Sequence, residues 1–390
     1  MPSSEPGPRA GPRISFVVAS LFAGFLFAGS ATVLLGVMLP RLAAQYHLSD
    51  SSSGTFLMIQ YATCASGALL VRQRLMMTLA LGYLLMAAAA VALLPAPRVL
   101  AAPMIGLFGL GLGMAMTSTS VWIGRRFTSS RGSALSLLNF CWSGGASLCP
   151  LIVARLPVRF SLTEICIPVA LLGAAFAALA LPARNLSPAR GPAPSAGPST
   201  AAPLPLVALF SGIAFLYVGV EAAVGNWMST YAVRTVSWNF PKSSLAAACF
   251  WGALLAGRGL TPLALRLLTE TTLHLLSMVA ACFAILLLLS AHSAAGLVTG
   301  ACTCGLSLAP LYPLTIALFL ERAGEARNVG WVFATAGYGG AALSWCTGVV
   351  SAAVHSLRAG LFVTLAAALV MLGLSLQMVS SMGRKLPSAS

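Results

Sequence analysis

Charge is what this 390-residue chain lacks most: Lys and Arg number 22, Asp and Glu only seven, and together they make up 7% of the residues. A soluble domain of ordinary composition carries about 25%. With 58% apolar residues and a mean hydropathy of +0.92, the chain cannot cover a globule with polar surface, so its solvent is largely lipid. Lysine is nearly missing. Lys242 follows Pro241 and Lys385 follows Arg384, so no Gly-x4-Gly-Lys phosphate loop exists to drive a nucleotide-dependent step. His-Glu-x-x-His and Gly-x-Ser-x-Gly are missing too, and no apolar run holds paired aspartates. Catalytic residues, a cofactor and a metal are therefore not expected. The nine cysteines, Cys64, Cys141, Cys282 and Cys346 among them, sit inside apolar runs. Cys302 and Cys304 have no second pair nearby, so the cysteines read as small packing residues, not a disulfide frame or zinc site. The net charge of +15 is not gathered on a face or in a tail; basic residues stand singly or in pairs between apolar runs, which excludes nucleic acid as a partner.

What the chain does have is long apolar runs. A hydrocarbon core of about 30 Å needs about 20 helical residues. Runs at 14–39, 54–71, 75–94, 99–123, 132–153 and 165–181 predict six spans; runs at 204–231, 243–260, 271–290, 294–319, 329–353 and 357–380 predict six more. The expected fold is an all-α integral membrane protein with twelve transmembrane helices in two six-helix bundles, 14–181 and 204–380. Residues 1–13 are polar and Pro-rich and read as a disordered tail, and 381–390 form a second tail. The first run lacks a small-residue cleavage site, which argues against a removable signal peptide. Residues 182–203 are Pro, Ala, Ser and Gly without an apolar period and read as a flexible linker.

With the N-terminus inside, fifteen basic residues fall in inner segments and seven in outer ones. This bias predicts cytoplasmic termini and a cytoplasmic linker, in a multi-pass protein of the plasma (inner) membrane. On that topology Asn185-Leu-Ser187 is a glycosylation acceptor in name only.

The halves echo one another. Arg126 and Arg131 bracket the link between the fourth and fifth runs, and Arg322 and Arg327 stand 196 residues later. Trp142-Ser-Gly144 follows Arg131 by eleven residues, as Tyr338-Gly-Gly340 follows Arg327. Gly67-Ala-Leu-Leu is matched by Gly252-Ala-Leu-Leu. An even number of spans per copy makes this a parallel repeat about an axis along the membrane normal.

Gly252-Ala-Leu-Leu-Ala-Gly257-Arg258 resembles the glycine–arginine loop signature of the major facilitator superfamily. The first-half copy departs from it, with Val71 before Arg72 where the family usually has Asp. The resemblance implies a gating loop built from Gly67, Arg72, Gly252, Gly257 and Arg258, with glycines that let helix ends approach closely. Tyr217-Val-Gly-Val-Glu221 through Asn226-Trp227-Met-Ser-Thr-Tyr231 resembles the seventh helix of the fucose–galactose–hexose symporters and their sodium–glucose relatives. Ala309-Pro310-Leu-Tyr312-Pro313 is similar to their tenth. That branch is expected to carry acidic groups in the first and fourth helices, and here 14–39 and 99–123 have none, so its proton coupling does not transfer.

Of the seven acidic residues, only Glu221 lies deep in an apolar run, about 5 Å past the middle. A carboxylate there costs at least ~2.5 kcal/mol, so it reads either as a proton-titrating, cation-linked or solute-binding group or as a carboxyl tied to a neighbouring helix. Asn226, Trp227 and Tyr231 follow on the same helix; amide and ring together suit a sugar, and the alternative for the rings is an interfacial aromatic belt. Gln60 and Tyr61 mark the centre of the second run, Asn139 and Trp142 that of the fifth; Tyr312 and Tyr338 lie at moderate depth. These ten residues form the candidate solute site, with Glu221 as ion-coupling group. The expected function is secondary active or facilitative transport of a small solute, best matched to a sugar, by alternating access, with H+ or Na+ as candidate coupling ions. A drug or metabolite exporter and a non-transporting receptor or scaffold are the alternatives. The expected partners are the small-molecule solute and the lipid bilayer, and the chain is read as a monomer.

Overall fold

A computed structural model of the chain describes residues 12–94, 98–128, 130–157, 162–183, 201–323 and 330–383. Among the described residues there are thirteen α-helices and no strand. The first half holds α1 (Pro12–Tyr46), α2 (Asp50–Leu69), α3 (Leu75–Ala92), α4 (Arg98–Arg126), α5 (Arg131–Val153) and α6 (Thr163–Ala180). The second holds α7 (Leu204–Val236), α8 (Phe240–Ala264), α9 (Glu270–Leu289), α10 (Ala294–Leu308), α11 (Leu311–Ala323), α12 (Gly330–Ala353) and α13 (Leu357–Gly383). Pro310, with no N–H to give, interrupts the ladder between α10 and α11. The two form one crossing of 30 residues, so the helices make the twelve crossings expected. Twelve crossings return the chain to the end at which it entered; that end is called proximal here, and the opposite one distal.

Local chemistry sets many of the boundaries. Ser49, Asn239, Thr269 and Ser293 each cap a helix by accepting a hydrogen bond from the backbone N–H three residues on. Pro12 opens α1, where its missing N–H costs nothing, so the last two residues of the expected tail are helical. At the other end α13 runs on to Gly383. The rest of the expected tail 1–13, most of the expected linker 182–203 with its Asn185 acceptor, Arg327, and residues 384–390 lie outside the described residues.

Among the described residues, nine crossings are long and apolar enough to span a membrane. The crossings that fall short, α2, α8 and α12, all pack against the opposite half, where a protein neighbour replaces lipid. Across the interface α2 lies along α12, α5 along α8 and α1 along α7. A shift of six crossings exchanges the first two pairs, as a twofold pseudo-repeat requires. The chain register agrees. His47 and Ser237, both at positive φ, end α1 and α7 and stand 190 residues apart. Gly67 and Gly257 are also 190 apart and do the same job: a Cβ on Gly67 would meet the Leu110 carbonyl of α4 at 2.2 Å, and one on Gly257 the Ala309 Cβ beside α10 at 2.5 Å. Gly252, paired with Gly67 on local sequence, would have nothing within 4 Å of an added Cβ. The helical contacts thus match Gly67 with Gly257 instead.

Candidate functional site

Glu221 and Arg258 meet in the middle of the bundle. Glu221 lies on α7 and is buried; Arg258 lies on α8, with its guanidinium 3.2 Å from Glu221 Oε2. Arg258 was expected in a proximal loop. It is instead within the helix, because α8 continues to Ala264, and its long side chain turns inward to the carboxylate that balances it. Glu221 is therefore not an isolated charge. Tyr217, one helical turn earlier on α7, donates its hydroxyl to the same Oε2. The Tyr217 and Tyr312 rings stack with centroids 5.6 Å apart, which brings α11 into the cluster.

The other half touches this pair through α5. Arg258 donates to Ser143 Oγ at 2.6 Å, and its guanidinium carbon lies 5.6 Å from the centre of the Trp142 ring. That ring meets Trp251 of α8 edge-on at 5.8 Å. The Trp142 indole N–H donates to Thr32 Oγ1 at 3.3 Å, and Gln60 donates to the Thr32 carbonyl at 2.9 Å. A continuous chain of contacts thus runs from α2 through α1 and α5 to the ion pair.

The remaining predicted residues divide into those near this centre and those that are not. Tyr61 accepts a hydrogen bond from Asn226 at 3.1 Å across the halves. Trp227 and Tyr231 are fully buried; the indole N–H is bound to the Ser344 carbonyl and the phenol to the Leu288 carbonyl. In this conformation both rings serve helix packing and present no free face. Asn139 is exposed and bonds back to Leu135 of its own helix. Tyr338 bonds Ser66 at 3.2 Å between α12 and α2. Of the expected gating residues, Arg72 lies exposed in the turn after α2, whereas Gly67, Gly252, Gly257 and Arg258 are helical. His274 of α9 is buried against Ser375 of α13.

Sequence reasoning missed Ser143, Trp251 and a second ion pair. Asp50 at the start of α2 accepts two hydrogen bonds from Arg234 in the last turn of α7, at 2.5 and 2.7 Å, and a third from Ser351 of α12. This pair joins the halves at the distal end. Eight residues before Arg234 on α7, about 12 Å along the helix, a Cβ on Gly36 of α1 would stand 2.5 Å from the Asn226 Cα. Only a glycine permits that approach. Tyr217 could have been found from its i,i+4 spacing to Glu221.

Comparison with known proteins agrees with this architecture. The family model described as Major Facilitator Superfamily matches residues 20–345. Bypass of stop codon protein 6 of Saccharomyces cerevisiae is 29% identical over 164 residues, covering 38% of this chain and 32% of that protein, so the chain spans about a third of that relative's length. Among solved structures, a bacterial homologue of the human lysosomal transporter Spinster, inward-facing and unoccupied, superposes with a TM-score of 0.74 at 14% identity, over 98% of this chain and all of that one. FucP, the E. coli fucose:proton symporter, in its outward conformation gives 0.63 at 18% identity over 93% and 98%.

Proposed function

The chain belongs to the Major Facilitator Superfamily, and from that premise we propose that it carries a small polar solute, with Glu221 and Arg258 at the heart of the binding site. That it is a multi-pass membrane transporter and not an enzyme follows from the family itself. The observation that carries the finer reading is the position of Arg258. It is paired with Glu221 inside its own half and held by Ser143 and Trp142 of the other. A group bound to both halves near mid-depth is where alternating access requires the solute to sit.

The pair is neutral as a unit, so it favours a neutral or zwitterionic load over an ion that would leave a charge unbalanced. Hydroxyls from Ser143 and Tyr217 and rings from Trp142, Trp251 and Tyr312 surround it. Guanidinium, carboxylate and indole together suit the hydroxyls and the apolar face of a sugar, and the relation in fold to a fucose symporter is consistent with that class. Two buried polar atoms close to the cluster, Asn226 Oδ1 and Trp251 Nε1, have no protein partner and offer further hydrogen bonds as the halves rock. Titration of Glu221, or a cation beside it, would couple solute to H+ or Na+. The bias of basic residues supports cytoplasmic termini in the plasma membrane.

Counterflow in proteoliposomes, scanned over a panel of labelled sugars, tests the reading. A sugar should exchange without ATP. Glu221→Gln should abolish concentrative uptake in a proton-coupled mechanism while counterflow survives; in a direct-binding mechanism it should weaken affinity as well. A well-folded Glu221→Gln protein that transports like the parent at every pH would leave the carboxyl a purely structural role. Exchange of lipophilic cations and no sugars would favour the exporter.

A further inference from the structure

The indole of Trp142 touches both halves. Its ring centre lies 5.6 Å from the Arg258 guanidinium carbon, it meets the Trp251 ring edge-on at 5.8 Å, and its N–H donates to Thr32 Oγ1 at 3.3 Å. Arg258 and Trp251 belong to α8, in the opposite half. Thr32 belongs to α1, in the same half as Trp142. When the halves move against each other, the contacts to α8 change. The bond to Thr32 travels with the ring.

That bond stands on a firm base. A Cβ on Gly29 of α1 would meet the Trp142 carbonyl oxygen at 1.9 Å, and one on Gly145 of α5 the Leu26 carbonyl oxygen at 1.8 Å, so the two backbones touch at Trp142 and again one turn later. Ser30 of α1 donates to the Gly145 carbonyl at 2.8 Å in the same stretch. These contacts fix the backbone of Trp142 but not its side-chain torsions. Thr32 can fix those. Its hydroxyl donates to the Ala28 carbonyl at 2.7 Å, which commits the proton and leaves the oxygen as an acceptor for the indole. The Thr32 carbonyl in turn accepts from Gln60 of α2 at 2.9 Å. Thr32, Gln60 and Trp142 are all buried, so an indole N–H deprived of this acceptor would carry its full desolvation cost.

We propose that Thr32 is a positioning residue of the solute site, whose hydroxyl holds the plane of the Trp142 indole while Arg258 and Trp251 come and go. The proposal rests on the reading of Glu221 and Arg258 as the heart of that site. It adds that the ring is ordered before the solute arrives, so that binding does not have to order it.

The test compares Thr32→Val, which keeps the shape and loses the acceptor, with Thr32→Ser, which keeps the acceptor. The full chain is labelled with indole-15N tryptophan and placed in nanodiscs. Of its seven tryptophans, Trp142 is assigned by the signal lost in Trp142→Phe. The indole N–H groups of Trp122 and Trp251 are buried without a partner and serve as references. In the parent and in Thr32→Ser the Trp142 N–H should lie downfield of both; in Thr32→Val it should move upfield to join them. Counterflow of L-fucose and D-glucose supplies the second readout. For a sugar that exchanges, KM should rise about fivefold in Thr32→Val, the worth of one hydrogen bond, with the maximal rate unchanged, and Thr32→Ser should restore it. A Trp142 signal that stays in place in a folded Thr32→Val protein, a shifted signal with unchanged KM, or a Thr32→Ser protein as impaired as Thr32→Val would each overturn the proposal. If Thr32→Val does not fold, the parent decides: a Trp142 N–H that coincides with those of Trp122 and Trp251 refutes the bond. Failure of both sugars to exchange in the parent would count against the sugar reading alone, and the indole signals would still decide the role of Thr32.

Discussion

Two ion pairs among the described residues, Asp50–Arg234 and Glu221–Arg258, are built in opposite ways. Asp50 and Arg234 join the halves with two parallel hydrogen bonds, reinforced by Ser351; the Asp50 side chain is only 11% exposed, but that of Arg234 is 44% exposed. Glu221 and Arg258 lie within one half and share a single contact, with side chains only 10% and 14% exposed. The better geometry is at the rim, where water weakens it; the poorer geometry is in the interior, where charge costs most. An exposed pair is worth about 0–1 kcal/mol, whereas stripping one partner from a buried pair costs about 3–5 kcal/mol. The rim pair is suited to closing and releasing an end of the bundle. The central pair is suited to being rearranged, since each member has a neutral alternative at hand: Tyr217 for Glu221, and Ser143 for Arg258.

The largest expected effect comes from breaking the central pair on one side. Arg258→Leu leaves Glu221 buried with only a phenol to hold it. Unfolding in detergent should show a loss of about 3–5 kcal/mol, and counterflow should fall to background. Replacing both partners, Glu221→Gln with Arg258→Gln, should recover much of the stability but none of the transport. Full stability in Arg258→Leu would mean that the pair is not energetically coupled and would erase the contrast with the rim.

That contrast was only half legible in the sequence. The twelve crossings were, because apolar length is a local property, and so was Glu221, a lone acid in an apolar run. Arg258 was misplaced for the same reason. An arginine at the edge of an apolar run looks like the end of a span until its partner, 37 residues earlier on another helix, is known. Asp50 and Arg234 are 184 residues apart, and nothing local marks either as half of a pair. Trp227 and Tyr231 read equally well as a sugar platform or a belt, yet both are packed between helices, which only tertiary neighbours decide. The break at Pro310 was visible as a motif, but the tenth run was apolar enough to pass for one unbroken helix.

An intermediate effect is expected where the halves meet without charge. Gly36→Val would drive its Cβ into the Asn226 backbone, and over-packing of this kind costs about 1–3 kcal/mol. The cost falls only on the state in which α1 and α7 touch at Gly36 and Asn226. Spin labels at Gln45 on α1 and Val354 after α12 should report a shift toward longer distances. Should the distance stay short, α1 and α7 accommodate the side chain and the glycine is not what allows closure.

The smallest effect should come from Asp50→Asn, and it separates the pairs most cleanly. The substitution keeps the shape and one acceptor oxygen but removes the charge that Arg234 and Ser351 share. With the Arg234 side chain 44% exposed, the pair is expected to contribute about 1 kcal/mol, so the fraction with an open distal end should rise about fivefold. Salt supplies the control. Raising ionic strength screens charges near the surface and leaves buried ones largely unscreened. In the parent, salt should therefore lengthen the distance between labels at Gln45 and Val354, and Asp50→Asn should already be shifted and respond no further. Stability lost through Arg258→Leu should not depend on salt. If the parent shows no salt response, the rim pair is not what closes the distal end, and closure rests on the glycine contact between α1 and α7.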